Sequence, residues 1–289
     1  MALADLFPKT DFQFQMRVRR GDAARFFSSS PNAAGLLLER AHWLDSAPQM
    51  HATVLPEATP LVDAVIQMAF GWGTITAAQK EQLEKTHDSR ERCLLLAKIW
   101  EPDFLLLQPD GKGRFILVAG AVCFPSSWAL EEKMGQPVEA IHGPVPTLNK
   151  SMGGSIGTFL NKIQPGSAWE RDNWGLAGSV ELNQHPARKL LRLQPPVDLE
   201  HVWLRIENQI LVGLPENLGL LFGIRLEQHR LADLAQDGEA AAGLIRGLET
   251  MPDGVANYKG LGLARTEIIR QLQGIVGGRT QTNSGRAGT

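Results

Sequence analysis

The chain has 289 residues, 43% of them hydrophobic and 21% charged, so one large or two small globular units with a substantial core are expected. A formal net charge of −2 leaves no basic excess of the kind a general nucleic-acid binder carries. The two cysteines, Cys93 and Cys123, exclude a disulfide framework, a Cys-rich zinc site and a Cys-ligated iron–sulfur cluster within this chain.

The first 30 residues, with Pro8 and the Ser28-Ser29-Ser30-Pro31 break, read as an irregular lead-in. They hold no long apolar run, and no window of about 18 apolar residues occurs anywhere. Neither a signal peptide nor a spanning helix is therefore expected, and the expected compartment is the cytoplasm. Arg17, Arg19 and Arg20 read as a solvated face. Helical spacing marks residues 33–44, 59–71 and 76–100. Extended runs then appear at Asp103–Leu107 and Arg114–Phe124, joined by the turn residues Pro109-Asp110-Gly111. Residues 126–163 read as short helical pieces broken by Gly135, Pro137, Gly143, Pro144 and Pro146. Three further strands are expected at Trp169–Leu176, His201–Val212 and Leu218–Glu227, with Gly213 and Pro215 marking a second hairpin. Helices follow at 230–249 and 262–276.

Two strands, short helices, then three strands predict an α+β fold: a PAS-like, five-stranded antiparallel sheet with short helices over one face. Helices at both ends would wrap that core. The expected organisation is an N-terminal helical extension over 1–100, the core over 101–230, C-terminal helices over 231–276 and a disordered Gly/Ser/Thr/Asn-rich tail over 277–289.

None of the seven histidines shows a zinc-ligand spacing. A single imidazole can still serve a haem, whose porphyrin supplies four nitrogens of its own. His142, where Gly143 and Pro144 end a short helix, is the candidate axial ligand; equally, such a histidine can cap a helix by bonding a free carbonyl. Cys123 offers a thiolate or a small buried side chain. His185 and His229 sit in polar settings and read as surface. Alternation on the fourth expected strand puts Val202, Leu204 and Ile206 on one face and Trp203, Arg205, Glu207 and Gln209 on the other. With Arg225 on the neighbouring strand, this row either polarises a ligand or forms ordinary cross-strand pairs on a wet face. Arg171, in Trp169-Glu170-Arg171-Asp172-Asn173-Trp174, suits a haem propionate, with Lys150 and Lys162 as weaker candidates. No dinucleotide fingerprint, phosphate loop or nucleophile elbow is present.

These stretches carry a family resemblance. They are Leu117–Trp128, Glu132-Lys133-Met134-Gly135 leading into Ile141–Pro146, Arg171–Trp174, Leu204–Gln209, Phe222-Gly223-Ile224-Arg225 and Tyr258-Lys259-Gly260-Leu261. In content and order the chain resembles the haem-dependent oxidative N-demethylases, specifically their haem-binding α subunit. The family's Glu-Arg-Gln is replaced here by Glu207-Asn208-Gln209, and its Thr-Tyr after the last Ile-Arg by Leu226-Glu227.

The resemblance implies haem b in this chain and an enzyme that oxidises dimethylamine, or a similar small secondary amine, to methylamine and formaldehyde with NADPH and O2. It implies that FMN, a two-iron, two-sulfur (2Fe–2S) cluster, NADPH and tetrahydrofolate belong to electron-transfer and folate-binding partner subunits. In that setting His142 is the expected axial ligand. Arg171, Trp174 and Trp203 are expected beside the haem, and Arg205, Glu207 and Arg225 are expected to act on oxygen or the substrate ammonium. A non-catalytic haem sensor of O2, CO or redox state, or an assembly subunit without haem, stand as alternatives. Neither nucleic acid nor a membrane is expected as a partner.

Overall fold

Seven strands form one open antiparallel sheet in the computed structural model, which describes residues 3–284, with side chains through 277. In chain order they are β1 (Arg19–Arg20), β2 (Ala52–Val54), β3 (Asp103–Pro109), β4 (Phe115–Ala121), β5 (Ala168–Ala177), β6 (Trp203–Gly213) and β7 (Leu220–Arg230). Their spatial order is β1-β5-β6-β7-β3-β4-β2. The five long strands are the ones expected. The count of five is corrected: β1 and β2 extend the two margins and are too short for alternation to announce them. Asp110 ties the β3–β4 turn, its Oδ1 accepting from the backbone N–H of Lys112 at 2.8 Å and Arg114 at 3.1 Å.

Alternating side chains give the sheet two unlike faces. On the first, Phe104, Leu106, Ile210, Val212 and Leu221 join a core with the Ala33–Ser46, Thr59–Gly71 and Ser89–Ile99 helices. On the same face, Leu176, Leu204 and Ile206 pack on the Gly238–Thr250 and Arg265–Ser284 helices. This face is closed tightly. A Cβ built on Gly223 would lie 2.6 Å from Phe27 Cζ, so the Ala23–Phe27 helix presses against a strand position that has no room for a side chain. On the second face, Leu105, Leu107, Leu211 and Leu220 gather a smaller cluster with Leu117 and Leu160.

Several expected boundaries move. The 76–100 stretch is two helices, Ala77–Lys85 and Ser89–Ile99, because Asp88 caps the second by accepting from Arg90 N–H. The broken pieces expected over 126–163 include one 15-residue helix, Leu148–Lys162. Its apolar stripe outweighs the cost of Gly153, Gly154 and Gly157. Arg19 is not merely solvated: it pairs with Asp172 at 2.5 Å and Glu170 at 3.3 Å. The last helix runs to Ser284, so the tail is helical that far, and 285–289 lie outside the described residues. No described helix is long and apolar enough to cross a membrane.

Candidate functional site

A cavity of about 780 Å³ lies between the second sheet face and the Leu148–Lys162 helix, within the range of roughly 300–1,000 Å³ usual for cofactor and small-molecule sites. Its roof is a helical stripe, Leu148, Met152, Ile156, Phe159 and Leu160. Its floor changes character across the sheet. Leu105 and Leu107 on β3, Leu117 on β4 and Phe222 and Ile224 on β7 are apolar, whereas β5 and β6 contribute Arg171, Asn173, Arg205, Glu207 and Gln209.

His142 stands on the helix side as the cap of the Val138–Ile141 helix. Its N–H donates to Val138 O and its carbonyl accepts from Val145 N–H, both at 2.9 Å, so its backbone is held from both directions. The imidazole lines the cavity and makes no hydrogen bond among the described residues. Burial, with the positive Arg171 nearby, pushes its pKa below the usual value, leaving a neutral ring at neutral pH.

Glu207 is the anionic centre of the polar floor. Asn173 Nδ2 at 3.2 Å and Gln209 Nε2 at 2.9 Å both donate to its Oε2, and no described protein group donates to Oε1. Arg205 is buried beside it but spent. It donates to the carbonyls of Glu181 at 3.0 Å, Leu182 at 2.9 Å and Phe124 at 3.4 Å, and to Ser126 Oγ at 3.4 Å, which ties two loops to the strand. Burial pushes this guanidinium down to about 10, still charged at neutral pH.

Arg171 is the opposite case. Its Nε is buried without an acceptor. Burial pulls its pKa down, and the field of Glu207 only partly offsets that. Trp174 borders the cavity edge, but it opposes Ile206 and its ring packs with the closed-face cluster, edge-on against Phe7, so its expected place beside the haem is corrected.

Other expected site residues lie elsewhere. Trp203 is beyond the rim, so β6 lines the cavity only from Arg205 onward. Arg225 is on the closed face, and its expected grouping with Glu207 is corrected by register. Asn208 faces Arg225, whereas Glu207 faces Leu226. Arg225 instead donates to Glu101 at 2.8 Å and to the carbonyls of Phe26 and Ser28. Lys150 and Lys162 do not line the cavity. Cys123 belongs to the core of the closed face, where burial pushes its thiol up to about 12. His185 is not on the surface but buried at the cavity wall, with Nε2 3.1 Å from Glu131 Oε1.

Asn173 and Lys259 have no role in the sequence reading, whereas Gln209 stands there in the row of Arg205 and Glu207. Asn173 shares the alternation of Arg171 on β5, the signal that marks it. Lys259 belongs to the Tyr258-Lys259-Gly260-Leu261 stretch, and only the folded chain brings it to β5. No group of three or more His, Cys, Asp or Glu side chains could cage a metal ion among the described residues. A lone imidazole on a mainly apolar cavity, with cations on its wall that make no ion pair among the described residues, therefore suits an acidic macrocycle that brings its own nitrogens. The family model described as haem-dependent oxidative N-demethylase, alpha subunit-like, matches residues 61–269, which contain β3 to β7, the roof helix, His142 and Lys259. The chain belongs to this family.

Proposed function

We propose that this family member holds haem b in the cavity with His142 as the axial ligand, and serves as the haem subunit of an NADPH-dependent monooxygenase. Its substrate is dimethylamine or a similar small secondary amine, which with O2 yields methylamine and formaldehyde. FMN, the 2Fe–2S cluster, NADPH and tetrahydrofolate reside on partner subunits. The observation that carries the reading is the unpartnered imidazole of His142 facing a large, mainly apolar space. The description of the core as PAS-like is supported by its five long antiparallel strands and by a pocket between sheet and helices.

When bound, haem supplies the oxidising chemistry that no side chain of this chain can provide. The chain's own residues bind and orient. Glu207 receives the protonated amine, whose N–H donates to the open Oε1, while Asn173 and Gln209 fix the carboxylate through Oε2. A desolvated ammonium needs such an anionic partner. Arg205 acts as a positioning residue: its donors are engaged by loop carbonyls, and it lies in the field of Glu207. Arg171 meets a propionate. Arg225 supports the sheet from the other side. The Glu207 seat favours an enzyme over a gas sensor, because O2 and CO carry no cation for it to bind.

Purified protein supplied with haem is expected to show a Soret band that collapses in His142→Ala, with the melting transition of the apo protein unchanged. A wild-type protein without a Soret band, or an undisturbed spectrum in the variant, overturns the ligand assignment. Formaldehyde release from dimethylamine with partner subunits present, lost in Glu207→Gln, separates enzyme from sensor.

A further inference from the structure

Positive charge on the cavity wall exceeds the one carboxylate, Glu207, whose field reaches all of Arg171, Arg205 and Lys259. These three line the cavity, and none of them makes an ion pair among the described residues. Away from the cavity, by contrast, buried or half-buried arginines such as Arg40, Arg92 and Arg225 each have a carboxylate. Arg205 is satisfied by carbonyls. Lys133, Lys189 and Arg192 line other parts of the cavity without an ion pair among the described residues, Lys189 and Arg192 being exposed. Arg171 and Lys259 are the half-buried pair whose charges act on each other. Lys259 caps the short Asp253–Tyr258 helix, which carries it across the edge of β5. There Nζ donates to Trp174 O at 2.7 Å and sits 5.3 Å from the Trp174 ring centre. Its other two N–H donors have no protein acceptor. The same end of the cavity holds Arg171 with its orphaned Nε, three residues before Trp174 on β5. Burial pulls both pKa values down, the field of Glu207 partly opposes this at both, and the charge of Arg171 adds to the lowering at Lys259. Two half-buried cations with donors in hand, sharing the field of one carboxylate, Glu207, and ion-paired with none among the described residues, leave room for further carboxylates.

We propose that Lys259 and Arg171 together form the clamp for the two haem propionates, so that the acidic edge of the macrocycle lies at the β5 end of the cavity and its apolar edge over β3 and β4. This rests on the haem reading above and adds to it a residue and an orientation. The C-terminal helices thereby become part of the binding site through Lys259 rather than only a cover for the sheet.

The test pairs a side-chain change with a chemical change in the ligand. Haem and haem dimethyl ester, whose propionates are neutral, are titrated by absorbance into the apo forms of wild type, Lys259→Met and Lys259→Arg. One charge-assisted bond corresponds to about a 10- to 100-fold change in affinity. Lys259→Met is expected to weaken haem by about 10-fold or more while binding the ester as wild type does, and Lys259→Arg is expected to restore most of the loss. If Lys259→Met binds haem as tightly as wild type, or loses haem and ester alike, the clamp is refuted. In the second case the side chain matters only for packing. If wild type binds neither ligand, the haem reading itself fails, a result distinct from either.

Discussion

The two faces of the sheet treat buried charge and buried imidazoles in opposite ways. On the closed face, Arg225 has a carboxylate and two carbonyls. His51, buried beyond β4, has both ring nitrogens engaged, Nδ1 with Val122 O at 2.8 Å and Nε2 with Asn183 Nδ2 at 3.5 Å. On the cavity face, Arg171 lacks an acceptor at Nε and His142 is bonded at neither nitrogen. Orphaned nitrogens occur on both sides, since Arg40 Nη2 and Arg92 Nε among the closed-face helices also lack an acceptor, but each of those guanidiniums has a carboxylate whereas Arg171 has none among the described residues. Native proteins pair the great majority of their buried polar groups, and the unpaired charge and free imidazole mark the cavity face as the one open to something from outside.

The largest expected effect breaks the closed side. Arg225→Met takes from Glu101, which is 5% exposed, its ion-pair partner, though Ser30 still donates to both carboxylate oxygens, and should lower the free energy of unfolding by about 3 kcal/mol. Denaturant melts with and without haem should give the same loss. A loss of haem affinity at full stability would instead return Arg225 to the site.

A smaller effect sharpens the comparison through pH. Burial, the largest cause, lowers the pKa of His51, and the carbonyl of Val122 only partly opposes it. A depressed pKa means that the unfolded chain binds the proton first. The contribution of a neutral His51 to stability is therefore complete above about pH 6.5. It falls away as pH drops from there toward the folded-state pKa. Chemical melts of the apo protein between pH 7 and 5 should show this acid slope, and His51→Gln should flatten it. An unaltered slope would show that the burden lies with other groups.

The smallest effect has the opposite sign. Arg171→Met removes an uncompensated half-buried cation and should leave the apo protein unchanged or more stable by up to about 1 kcal/mol. The same variant should lose haem affinity. Destabilisation of the apo protein by more than that would mean that Arg171 is already paired within the chain.

Much of this contrast was legible in the residues themselves. Alternation along Leu204-Arg205-Ile206-Glu207-Asn208-Gln209 puts Leu204 and Ile206 in the core row and Arg205, Glu207 and Gln209 on the other face, the one that lines the cavity. It cannot assign Arg225, because the face that Arg225 shares depends on the register across the Pro215–Asn217 turn and not on either strand alone. The roof helix was hidden by its glycines, although Leu148, Met152, Ile156 and Phe159 fall on one helical stripe. His185 and Lys259 were beyond local reading for a different reason. Their partners lie 54 and 85 residues away in sequence, at Glu131 and Trp174, and only tertiary folding brings them together.

The brevity of β1 has a consequence for self-association. Beyond Arg19–Arg20 the outer margin of β5 has no ladder partner among the described residues, leaving a half-length template for a strand of a neighbouring molecule. Lys259 occupies the carbonyl of Trp174 on that margin, and Arg171 and Asp172 put charge along it. Such features are what keep a free sheet edge from recruiting foreign backbone, so a protein stripped of these charges would meet its first hazard as aggregation rather than as unfolding.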